Sequence, residues 1–236
     1  MVLRPRFLCF FSCLALSAGP LAAQTQAQSP PPSSSAKQIK KSAAQDSTLD
    51  PGTVTNGVYR NKSLALSCKI PPGWVLRTDE LNARAEKQEE EKKEKEETKE
   101  DQPATPASSA GAKVLLAAFS RPPEARAEDV NSSILIAAES VASYPGLTEA
   151  AQYFFPLTEV AKAQGFTPDE DPYEIAVSTK PLARADFHKD VGTRVMHQST
   201  LAMLAHGYAI SITVIGGTDD EVEDLIDSLT FIGPGK

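Results

Sequence analysis

Three histidines, His188, His197 and His206, are the side chains of this chain that ordinarily titrate near neutrality, so acid–base or metal chemistry has to start from them. Asp186 stands two residues before His188 and is its nearest carboxylate partner in sequence. A zinc site needs three or four ligands at about 2.0–2.3 Å from one ion. His197 falls in the middle of an extended run and His206 in the turn at its end, so a strand rising about 3.3 Å per residue holds them apart. The sequence therefore predicts an exposed polar pair at His188 and Asp186, and no metal site. Hydrolytic chemistry finds no footing either: there is no Gly-x-Ser-x-Gly elbow and no serine at a strand-to-helix turn with a histidine partner. Gly216-Gly217 precedes a helix start, which attracts anions, but Asp219, Asp220 and Glu221 would repel a phosphate there. No catalytic residue and no cofactor is expected.

Binding is better served than catalysis. Tyr153, Phe154 and Phe155 are consecutive, and three consecutive side chains cannot all face one side of a helix. At least one must be exposed or lean into a groove, and partly exposed aromatics mark binding surfaces. A partner surface is predicted around Tyr153, Phe154, Phe155 and Pro156 and the adjoining strand edges. Of the three cysteines, Cys9 and Cys13 fall in a leader, leaving Cys68 without an internal disulfide partner. Cys68 shares a period-two face with Leu64, Leu66 and Ile70, the pattern of a small buried hydrophobe.

The elements that position these residues follow from periodicity. Gly57 to Asn61 and Ser63 to Ile70 read as two strands joined by a tight turn, the second stopped by Pro71-Pro72, which lack backbone donors. Val114 to Phe119 and Ser133 to Ala138 are apolar runs suited to strands buried on both faces. Leu147, Ala151, Phe154, Leu157 and Ala161 recur at helical spacing up to a stop at Gly165, with a kink or two short helices expected at Pro156. Tyr173 to Val177, Ala183 to His188, Thr193 to Leu204 and Tyr208 to Ile215 read as strands, the last two paired antiparallel through His206-Gly207. A closing helix is announced by a capping box, Thr218 with Glu221, and by the stripe Val222, Leu225, Ile226 and Leu229. Strands, a helix, more strands and a terminal helix make an α+β fold: a mostly antiparallel sheet flanked by helices.

Outside this body the chain is polar or export-like. Arg4 and Arg6, the apolar run Phe7 to Ala18 and the small residues that follow form a signal peptide over residues 1–23, cut after Ala23 or, alternatively, Ala27. Residues 24–56 are a disordered Pro/Ser/Gln-rich tether. A single domain over 57–232 carries a charged low-complexity insert at 84–112, in which Glu89 with Lys93 and Glu91 with Lys95 sit at the stabilising four-residue offset. The formal net charge of −7, with no basic stripe, argues against nucleic acid as a partner. No transmembrane span remains after leader cleavage, and the expected location is periplasmic or extracellular.

Tyr59-Arg60-Asn61, the strand to Ile70, the Pro71-Pro72-Gly73-Trp74 step, the mid-chain helix, the Tyr208 strand and the closing Leu225 to Phe231 segment resemble the PsbP-like fold. That group includes an extrinsic photosystem subunit, a Ran-binding nuclear-transport factor and small exported bacterial proteins of the DcrB type. The resemblance spans Gly57 to Ile232 and implies an αβα sandwich used for binding or scaffolding, with no shared catalytic centre. The Glu/Lys insert departs from the group, and neither a photosynthetic nor a nuclear role carries over. The reading that results is an exported, non-catalytic interaction or scaffolding domain with an envelope or extracellular protein as partner. Its alternative is a small-molecule or lipid carrier with a pocket between sheet and helix.

Overall fold

The computed structural model of the protein describes residues 49–96, 112–125 and 129–232. The expected leader, the tether up to residue 48, most of the charged insert and the side chains of Glu89, Lys93 and Lys95, and with them both expected pairs, lie outside the described residues. Twelve strands and three α-helices are described. They run β1 (Thr53–Thr55), β2 (Val58–Asn61), β3 (Leu66–Lys69), β4 (Val75–Leu76), α1 (Thr78–Glu96), β5 (Lys113–Phe119) and β6 (Ser133–Ser140). After short 3-10 turns at Val141–Ser143 and Ala150–Tyr153 come α2 (Phe154–Ala163), β7 (Thr167–Pro168), β8 (Tyr173–Val177), β9 (Lys180–Val191), β10 (Arg194–Ala205), β11 (Tyr208–Gly216), α3 (Asp219–Asp227) and β12 (Leu229–Phe231).

The fold is α+β, with every strand pairing antiparallel. Instead of the one sheet expected there are two. A small sheet has the order β1-β2-β3-β12, and a large one the order β4-β5-β6-β11-β10-β9-β7, with β8 also pairing on β9. The division falls at Pro71-Pro72. Two residues without backbone donors end β3, and the chain re-enters as β4 in the other sheet. The small sheet is closed by β12, which pairs Leu229 with Cys68 and Phe231 with Leu66. Leu229 thus belongs to a strand and not to the apolar stripe of the closing helix.

Order begins before Gly57. Leu49 is buried, and the Asn61 amide donates to the Asp50 carbonyl at 2.6 Å. The Asp50 carboxylate accepts from the Gly52 amide at 2.9 Å and the Lys62 amide at 3.0 Å. These backbone donors hold the Asp50 carboxyl below its ordinary range. Gly52 has φ of 77°, and a Cβ on it would stand 2.4 Å from the Tyr59 ring, so only glycine fits.

The large sheet presents two unlike faces. Toward α3 and the small sheet it offers Leu116, Ile134, Ile136, Leu201, Ile210, Ile212 and Val214, packed with Val222, Leu225, Ile226, Leu229 and Phe231. Toward α2 it offers Ala183, Ala185, Phe187, Ala202 and Ala209, and Tyr153, Phe154, Ala161 and Phe166 fill the space above them. Fully burying one large aliphatic or aromatic side chain stabilises by about 1.5–3 kcal/mol, so both faces contribute substantially.

The β10–β11 pairing is as expected, joined by His206-Gly207 with φ of 53° and 80°. Two left-handed residues in a two-residue loop are the type I′ hairpin turn. The second hairpin, β9–β10, turns through Gly192-Thr193, where Gly192 has φ of 65°, the first-position glycine of a type II′ turn. The kink or division expected at Pro156 falls earlier, between Tyr153 and Phe154, and α2 runs unbroken through Pro156. The 3-10 turn ends at Tyr153 and α2 starts at Phe154, leaving Pro156 in the first helical turn where no amide donor is needed. The last helix is capped by Thr218, which accepts from the Glu221 amide at 3.1 Å. The reciprocal half of the box differs: the Glu221 carboxylate takes the Gly217 amide at 2.8 Å and the Ser132 hydroxyl at 2.5 Å.

Candidate functional site

The four residues Tyr153 to Pro156 separate sharply. Tyr153 is 1 % exposed and Phe154 is buried beside it, both under α2 against the alanines of β9, β10 and β11. They cannot line a surface: the helix turns them toward the sheet, and the sheet has room because it presents alanine there. Phe155, pointing the other way, is 85 % exposed, and Pro156 is half-buried next to it. The argument that one of three consecutive aromatics must face out selects Phe155 alone.

The Tyr153 hydroxyl is buried without a hydrogen bond of good geometry. Near it the buried Glu139 carboxylate accepts from the Tyr144 hydroxyl, and the Tyr144 and Tyr153 rings meet edge to face at 5.4 Å. Burial pushes the Tyr153 phenol well above its ordinary range, and the Glu139 charge adds to the shift. Tyr144 is raised by burial and then by its bond to Glu139. This cluster fastens the turns before α2 onto β6.

A concave surface lies on the other side of the molecule. β1 is the outer strand of the small sheet and β4 the outer strand of the large one, each paired on one side only. Val54 of β1, 39 % exposed, and Leu76 of β4, 45 % exposed, line two adjoining cavities. One, of about 710 Å³, is walled by Val54, Val58, Ile70, Pro71, Trp74 and Leu76. The other, of about 630 Å³, is more polar, bounded by Thr53, Tyr59, Arg77, Asp79, Lys113 and Leu115. Trp74 owes its place to Pro71: its amide returns to the Pro71 carbonyl at 3.3 Å, a tight turn that sets the indole beside the apolar core. The sequence singled out Trp74 but missed Val54 and Leu76, which sit in strands of three and two residues, too short to show a period.

The polar residues gather on the α3-facing side of β9 and β10. Arg184 takes Asp186, with Nε 2.9 Å from Oδ1, and reaches Glu223 of α3 at 2.5 Å, while the Tyr173 hydroxyl donates to Asp186 at 2.6 Å. Burial, and then the bond to Asp186, pushes the Tyr173 phenol up to about 12. Asp186 is therefore not the partner of His188, as expected from sequence, because the arginine two residues away on the same face captures it. His188 pairs through Nδ1 with Asp169, and His197 through Nδ1 with Asp219 at 2.6 Å. His206 stands apart, its Nε2 2.8 Å from the Ser63 carbonyl. Ser199 lies two residues from His197, but it is wholly buried and its hydroxyl bonds to nothing, so it cannot serve as a nucleophile. Among the described residues no group of three or more His, Cys, Asp or Glu side chains is gathered to hold a metal ion. Cys68 is buried with its thiol pushed up to about 11 by desolvation, which opposes thiolate chemistry.

The chain thus belongs, by its architecture, to the α+β proteins built from two antiparallel sheets and flanking helices. No family model matches it and no curated protein matches it. Among solved structures it is similar to LpqN, involved in cell envelope biogenesis of Mycobacterium tuberculosis, with 14% identity over 77% of this chain and 85% of that one, at a TM-score of 0.35. It is also similar to the Ran-binding protein Mog1p of Saccharomyces cerevisiae, with 10% identity over 71% of this chain and 90% of that one, at a TM-score of 0.36. A protein of unknown function from Pseudomonas aeruginosa, described as a putative regulator, gives 12% identity over 48% of this chain and 80% of that one, at 0.33. Similarity at this level says nothing further about this chain.

Proposed function

We propose that the chain is an exported, non-catalytic interaction domain of the PsbP-like type that receives an extended segment of an envelope or extracellular protein. The observation that carries the reading is the cleft between β1 and β4. Two strand edges with free backbone donors and acceptors flank it, and Val54, Leu76 and Trp74 offer apolar contact at its floor and rim. Such an edge accepts another strand through main-chain hydrogen bonds, while pockets for alternate side chains give selectivity. Phe155 and Pro156 supply a second contact point. Export rests on the leader pattern of residues 1–23, and no helix among the described residues is long and apolar enough to cross a membrane.

The carrier alternative has no room under α2, where Tyr153, Phe154, Ala161 and Phe166 fill the space, and would have to use the cavity between β8, β9 and α3 or the one beside α1. Photo-crosslinking amino acids placed in the full chain at Val54, Leu76 and Phe155 test the reading in the producing cell. Protein adducts at Leu76 that disappear when the outer edge of β1 is blocked by Val54→Pro, Val54 being the β1 residue whose amide faces away from β2, support it. Adducts at Phe155 alone move the interface to the helical face, and a lipid or small-molecule adduct at Val54 replaces the module with a carrier.

A further inference from the structure

We infer that His188 and His197 form a two-imidazole chelate for a first-row divalent metal ion, with Cu(II) favoured, its remaining coordination positions filled by water. Nothing in the interaction role above requires this site, and its test is independent of that role.

The pair is made by the turn. Gly192-Thr193 fixes the register so that Val191 opposes Arg194 and, three steps further, His188 opposes His197. Residues directly opposite share a face of the sheet. The pair flanking a two-residue turn exchanges hydrogen bonds, and the alternation of an antiparallel ladder then makes His188 and His197 a non-hydrogen-bonded pair. Such pairs bring Cα atoms to about 4.5 Å and Cβ atoms to about 4.5–5.5 Å, closer than the alternative kind. Two nitrogens at about 2.0–2.1 Å from one ion stand no more than about 4.2 Å apart, a span within reach of imidazoles that extend side by side from such a pair.

The ring nitrogens are already sorted. Each imidazole uses Nδ1 for a carboxylate, Asp169 for His188 and Asp219 for His197. A carboxylate on Nδ1 draws the proton there and leaves the lone pair on Nε2, the arrangement in which histidine most often holds a metal. The side chains are 39 % and 26 % exposed, so an ion and its waters can reach them. The two aspartates balance the incoming charge. His206 provides the contrast within one chain: its Nε2–H donates a hydrogen bond to the Ser63 carbonyl, and it has no histidine opposite, Ala205 pairing with Tyr208 across its turn. Imidazole nitrogen suits Cu, Ni and Zn, and divalent affinity peaks at Cu(II).

The test is titration of the full-length protein, purified without a polyhistidine tag, with Cu(II) chloride at neutral pH, followed by calorimetry and by electron paramagnetic resonance. The expected result is one bound equivalent whose spectrum carries two equivalent nitrogen couplings. His188→Gln and His197→Gln each reduce the coupling to one nitrogen and weaken binding, while His206→Gln leaves both unchanged. Asp169→Asn weakens binding by about tenfold through the loss of its hold on the ring. Failure of the unaltered chain to bind, retention of the two-nitrogen signal in His188→Gln or His197→Gln, or its loss in His206→Gln overturns the assignment. Circular dichroism of each variant verifies that the fold is intact, which the partial exposure of all the altered residues favours.

Discussion

The two faces of the large sheet are packed by opposite routes. Toward α3 the sheet supplies the bulk, with Ile134, Ile136, Ile210, Ile212 and Val214 in register across β6 and β11, and the helix adds a modest stripe. Toward α2 the sheet's fully buried positions are alanines, Ala183, Ala185, Ala202 and Ala209, beside the one large Phe187, and the rest of the bulk comes down from Tyr153, Phe154 and Phe166. The first face is many similar contacts, each replaceable in part by its neighbours. The second is a few large side chains seated in spaces made by missing methyl groups. Packing on the α2 side is therefore concentrated in fewer residues, and it shares space with the buried Glu139 carboxylate.

That contrast can be broken most forcefully at Phe154. Replacing it with alanine should cost about 3–5 kcal/mol, whereas Ile212→Val on the opposite face should cost only about 0.5–1.5 kcal/mol. Urea denaturation compares them, and equal losses would mean that the two faces are not organised differently. A smaller effect is expected from filling the spaces. Ala202→Leu should destabilise by about 1–3 kcal/mol through overpacking, and combined with Phe154→Ala it should recover part of that variant's loss, a coupling read from a double-mutant cycle.

The smallest effect at neutral pH, and the most telling with pH, belongs to Tyr153→Phe. It removes a buried hydroxyl that has no hydrogen-bond partner, so stability should change by less than about 1 kcal/mol. Raised phenols stabilise the fold fully below the ordinary tyrosine range near pH 10, and this contribution is lost as pH climbs through their folded values. Tyr153, Tyr144, Tyr59 and Tyr173 are all raised, so the chain should weaken progressively above pH 10, and Tyr153→Phe should flatten that decline. An unaltered alkaline slope in the variant would show that the α2 face does not hold its phenol in the neutral form.

The long elements were legible because their signals are local. The β10–β11 hairpin could be read from His206-Gly207 between alternating runs, and α3 from Thr218 ahead of Val222 and Leu225. The exposure of one aromatic at Tyr153–Phe155 followed from helix geometry alone, although which one depended on where α2 began, and Pro156 was the only marker of that. The short strands were not legible. Val75–Leu76 and Thr53–Thr55 hold too few residues to show a period, so the second sheet and its cleft stayed hidden. Pairing of β12 with β3 joins residues from opposite ends of the chain, which no local pattern encodes. The partner of His188 was misread because sequence distance favoured Asp186 while Arg184 held it in space. Gly192 did carry the missing clue: a two-residue turn centred there places His188 across from His197 by counting alone.

The strand Leu229–Phe231 has a consequence for biogenesis. It completes a sheet begun at Thr53, so a polypeptide emerging from a ribosome cannot finish that sheet until Phe231 is out. Until then the strand from Leu66 to Lys69 keeps an open flank, and premature locking into the final architecture is withheld by topology.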